Sequence, residues 1–69
     1  MRVGYVVYSF EHRRTQVKFR ISGTSTDVAK EVASFSRLTR YKNPKLLSES
    51  FQELEKPPRE FMNIRVEKA

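Results

Sequence analysis

From Arg14 to Ile21 the chain alternates strictly, with Arg14, Gln16, Lys18 and Arg20 in one set and Thr15, Val17, Phe19 and Ile21 in the other. Successive side chains of a β-strand point to opposite faces, so this segment fits a strand with cations on one face and apolar groups on the other. A helix would scatter the same residues around its circumference. The pattern therefore demands a sheet with one covered face and one face open to solvent or to a ligand.

The charge is distributed unevenly. Residues 1–45 hold ten Lys or Arg against three acids, whereas residues 46–69 hold four against five. The net charge of +6 and pI near 10.1 bear on partners rather than on fold. They suit nucleic acid, an acidic protein surface or anionic lipid. With 69 residues the chain is expected to form a single small domain, 1–69, which buries only about 60% of its unfolded surface. It has no cysteine and one histidine, so neither a disulfide nor a thiolate metal site is available, and no cofactor is expected. No apolar run is long enough to span a membrane, and no signal peptide is legible. Lack of cysteine fits a cytoplasmic setting.

Residues 2–9 are rich in Val and Tyr and apolar on both alternating faces, which predicts a central strand. Gly4 marks a close backbone approach or a bulge. Phe10 to Arg14 form a polar turn. Without Asn-Gly or Asp-Gly, a loop of about four or five residues is expected rather than a two-residue hairpin. Gly23 ends the second strand. Thr24 and Asp27 are spaced as a capping box, and Val28, Val32 and Phe35 give an amphipathic helix to about Leu38.

Asn43-Pro44 reads as an N-cap followed by the first helical residue, predicting a second helix over 44–56 with Leu47, Phe51 and Leu54 on one face. Pro57-Pro58 would stop it. Alternation returns over 60–67 as a third strand, with Met62, Ile64 and Val66 together. The expected fold is α+β, with order β-β-α-α-β: a three-stranded sheet, strand order 2-1-3, and two helices packed on one face. The basic strand would lie at an edge, where charge also opposes sheet-to-sheet aggregation.

No catalytic or metal-binding signature is present. His12 lies in a basic turn with no nucleophile linked to it by spacing. Glu49 and Glu53 form a carboxylate pair without a third ligand, as a solvated acidic face does. Ser22 to Thr26 around Gly23 is capping chemistry and lacks the Lys-Ser/Thr of a phosphate-binding loop. Tyr5, Tyr8, Phe10 and Phe19 could stack nucleobases, but in so small a chain most rings are needed for the core. The RNA-recognition and KH signatures are absent.

Two basic patches remain: the strand with its turn, and the cations around Tyr41. The candidate contacts are Arg13, Arg14, Lys18, Arg20, Arg40 and Lys42. Such cations neutralise phosphates and release counterions, so the expected function is a non-enzymatic module that binds DNA or RNA mainly through phosphate. The competing expectation is a small regulator or inhibitor of the kind mobile elements encode, docking on a protein through a sheet edge or an apolar helix face. A homodimer through the third strand would serve either.

Overall fold

The computed structural model describes residues 1–37 and 41–69. Strand β1 (Arg2–His12) and strand β2 (Thr15–Thr24) form a long hairpin; helix α1 (Ser25–Arg37) follows, then strand β3 (Lys42–Glu53), a 3₁₀ turn (Arg59–Phe61) and strand β4 (Arg65–Lys68). The sheet is antiparallel throughout, with order β3-β1-β2-β4. Among the described residues, the expected three strands and two helices are replaced by four strands and one α-helix.

Two readings from the N-terminal half hold. The doubly apolar β1 is central, flanked by β2 and β3. Helix α1 begins where the cap residues place it: the Asp27 amide donates to Thr24 Oγ1 at 3.2 Å, satisfying one of the unpaired N–H groups of the first turn. The end expected at Leu38 lies outside the described residues.

Alternation sorts the sheet into two faces. Val6, Tyr8 and Phe10 of β1 lie opposite Ile21, Phe19 and Val17 of β2 on the side that α1 covers. Val6, Ile21 and Val28 are buried together there, with Val32, Phe35 and Phe51 packed around them. Farther along the same face, Phe10, Phe19, Phe35 and Tyr41 form a ring cluster with centroids 5.2–6.2 Å apart. These stacked, tilted and edge-on contacts add to the burial of apolar area. The aromatics offered as a stacking platform are thus spent in the core, apart from Tyr5 on the other face.

The predicted helix over 44–56 is the outer strand β3, and two register shifts explain the misreading. Val7 pairs with Ser48 but Tyr8 pairs with Leu46, so Leu47 is an extra residue; a second shift lies between Lys45 and Lys42. Each bulge inserts one residue and breaks the two-residue period. Leu46 and Phe51, paired with Tyr8 and Gly4, thus share one face although five residues apart, while Leu47, Phe51 and Leu54, the last beyond the end of β3, keep a spacing that imitates a helix. Asn43 takes a left-handed conformation (φ 51°), which Asn tolerates, rather than capping a helix. Pro44 sits on an edge strand at the bulge, where its missing N–H costs no central ladder bond.

The hairpin also differs from expectation. His12 pairs with Thr15, leaving Arg13 and Arg14 as a two-residue turn with φ of 53° and 65°. Positive φ at both positions is the type I′ signature, whose twist matches that of the flanking strands. Here two arginines occupy positions that usually take Asn and Gly.

The strand expected over 60–67 splits into the 3₁₀ turn and the short β4, which pairs antiparallel with β2 rather than lying beside β1. Strand β2 is therefore interior and not an edge. Since β3 and β4 occupy opposite edges, residues 54–64 must cross the sheet. They do so at the end where Val3, on the face away from α1, is fully buried.

Candidate nucleic-acid interface

The face away from α1 carries the even-numbered residues of β2. Gln16, Lys18 and Arg20 lie opposite Glu11, Ser9 and Val7 of β1, and all three are exposed. Directly opposed residues in antiparallel strands share a face, so the register also identifies what β3 adds. Ser9 pairs with Lys18 on one side and with Lys45 on the other. Two lysines thus flank one buried serine across three adjacent strands, with Cα atoms about 10 Å apart from the strand spacing. Ser9 donates from Oγ to Gln16 Oε1, which leaves the two ammonium groups as the charged features of that row.

Arg20 follows Lys18 along β2. Its guanidinium lies over the Tyr5 ring, 4.3 Å from the centroid. Its register partner on β4 is Glu67, but Glu67 Oε1 accepts from Arg65 Nε at 3.1 Å. Both members of that pair are exposed, so it is worth little to stability. Lys42, on β3, pairs with Glu11, which also accepts from Asn43 Nδ2 at 2.9 Å. The carboxylate offsets part of the charge at that corner.

Of the six cations singled out from sequence, Lys18 and Arg20 share the open face. Lys42 joins it from β3 rather than from a loop between helices. Arg13 and Arg14 form the exposed hairpin tip at the end of the same two strands. Arg40 lies outside the described residues. Because residues 44–53 belong to strand β3, among the described residues no helix N-terminus lies beside these cations. Lys45 belongs with the group and was missed as an open-face cation, since its position depends on a strand disguised by its bulges.

His12 stacks on Tyr41 with ring centroids 4.8 Å apart, a packing role at the rim of the core. Glu53 accepts from the N-terminal ammonium at 2.6 Å rather than forming a site with Glu49. Among the described residues no three His, Asp or Glu side chains are placed to hold a metal ion, and no helix is long and apolar enough to cross a membrane.

Comparison of the chain with protein-family models, with curated proteins and with solved structures finds no match.

Proposed function

We propose that the open sheet face is a phosphate-binding surface and that the protein is a non-enzymatic nucleic-acid-binding module. The observation that carries this reading is the register of Lys18, Ser9 and Lys45, which aligns two exposed cations across the sheet, with Arg20 two residues along β2 from Lys18 on the same face. Strands hold their side chains at fixed spacing, so binding such a row costs a polyanion little reorganisation of the protein. Arg13, Arg14 and Lys42 extend the positive surface toward the hairpin tip. Contacts of this kind position a backbone without reading sequence. Binding of DNA or RNA measured from 50 to 200 mM salt tests the reading: several phosphate contacts make affinity fall by orders of magnitude over that range. Salt-insensitive binding, or none, contradicts it.

A second reading is supported by the outer edge of β3. Leu46 and Leu47 are 44% and 43% exposed on a twelve-residue strand whose other side pairs with β1. An unpaired edge with exposed apolar residues suits a regulator that binds a partner protein by strand addition. Leu46→Lys with Leu47→Lys would abolish retention on a nuclease-treated partner under this reading and leave nucleic-acid binding intact under the first.

A further inference from the structure

Beside the cationic row, on the same open face, lies a cleft of about 160 Å³ lined by Arg20, Ser22, Glu60, Phe61, Arg65 and Glu67. It exists because residues 54–64 must cross from one sheet edge to the other, bringing the 3₁₀ turn over β2. Its lining differs from the lysine row in two respects. It contains an aromatic wall, Phe61, and it mixes two arginines with two carboxylates. A phosphate would be attracted by the arginines and repelled by Glu60 and Glu67. A flat ligand with both donors and acceptors on its edge suits both signs. The volume is below the roughly 300–1,000 Å³ of pockets that engulf a drug-sized molecule, so the cleft takes one ring system.

We infer that this cleft holds a single unstacked nucleobase, guanine in preference to the others, and that the nucleic acid bound is single-stranded. This rests on the phosphate-binding reading of the adjacent row and adds the ligand's strandedness and base preference to it. Arg20 lies two residues along β2 from Lys18 and itself lines the cleft, so a backbone held at Lys18 and Arg20 would bring a base to Phe61, and stacking on such a ring is available only to a base free of a duplex. Glu67 is engaged by Arg65, which leaves Glu60 as the acceptor. Guanine alone presents two adjacent donors, N1–H and N2–H, to the two oxygens of one carboxylate. Adenine and cytosine would turn a ring-nitrogen acceptor toward it. The O6 and N7 acceptors of guanine are the groups that arginine recognises best.

The test compares fluorescence anisotropy of three 12-mer probes: thymine only, the same strand with one central guanine, and the latter annealed to its complement. Wild type binds the guanine-containing single strand roughly 5- to 150-fold more tightly than the thymine strand, the range of one good bidentate base contact. Glu60→Gln, at an exposed position that leaves the core untouched, erases that ratio whatever it does to affinity in general. Phe61→Ala lowers affinity for both single strands by roughly 5- to 150-fold, as loss of one stacked base does, and leaves the salt slope unchanged. Equal binding of all three probes, or a guanine ratio that survives Glu60→Gln, overturns the base cleft while the phosphate surface stands. No binding of any probe at 50 mM salt overturns the phosphate surface and the cleft with it.

Discussion

The guanidinium of Arg20 rests over the Tyr5 ring, 4.3 Å from its centre, although Glu67 is its partner in register across the β2–β4 ladder. The ring holds a cation in place without neutralising it, whereas a paired carboxylate would cancel its charge. Tyr5 is thus the support that keeps Arg20 available on the open face.

This contact is measurable. In a double-mutant cycle of Tyr5→Leu and Arg20→Gln, followed by urea unfolding, the coupling energy is expected at about 0.5–1 kcal/mol, the range of an exposed cation–π pair. A coupling near zero would mean that the two side chains merely coexist.

The hairpin tip provides a second prediction. Arg13 and Arg14 occupy left-handed conformations that cost a residue bearing a Cβ roughly 1–2 kcal/mol. Replacing them with Asn and Gly keeps the turn and relieves that cost. Unfolding stability is expected to rise by about 1 kcal/mol, which for a domain of this size raises Tm by about 4–8 °C. The same variant is expected to bind nucleic acid more weakly, since both tip cations are gone. A rise in stability with a loss of binding is the outcome expected where function retains two unfavourable turn residues; destabilisation would contradict the type I′ assignment.

Gly4 is required by the approach of β3. A Cβ at this position would overlap the carbonyl oxygen of Ser50 and come within 2.8 Å of Phe51 Cα. Both obstacles are backbone atoms, so the strand itself would have to move. Gly4→Ala is expected to cost about 1–3 kcal/mol or more, a large share of the stability of so short a chain. Circular dichroism and thermal unfolding of the variant check this; a Tm equal to that of the parent chain would show that β3 does not lie where the register puts it.

Thr24 supports a milder prediction. Its hydroxyl oxygen accepts from the Asp27 amide at the start of α1, so Thr24→Ala is expected to lose about 1 kcal/mol by urea unfolding. Thr24→Ser, which retains the oxygen, should retain most of the stability. Equal losses in the two variants would assign the effect to packing of the methyl group.

The half of the fold built on unbroken periods was legible in the residues. The alternation through Arg20 and Ile21, the doubly apolar β1 and the Val28-Val32-Phe35 spacing each report one element whose environment is uniform along its length. The rest was hidden for identifiable reasons. In β3, the extra residue Leu47 moves the apolar set out of phase, and Asn43-Pro44 supplies a helix start signal to a strand. At the hairpin, Arg13-Arg14 carries none of the chemistry that usually marks a tight turn. Residues 60–67 are divided because the chain is still completing its crossing of the sheet when the alternation begins. The candidate surface followed the same division. Lys18 and Arg20 could be placed together from one strand alone, but Lys45 enters only through pairing across β1, and the cleft at Phe61 only through the route of the crossing segment.

The salt dependence of nucleic-acid binding by Lys18→Ala with Lys45→Ala tests the role of the open face most directly. Each phosphate contact contributes about 0.7 to the slope of log affinity against log salt for a single strand. If both lysines neutralise phosphates, the double variant binds more weakly at 50 mM salt and its slope is shallower by about 1.4. Affinity and slope indistinguishable from those of the unaltered protein would show that the polyanion, if bound at all, meets another surface.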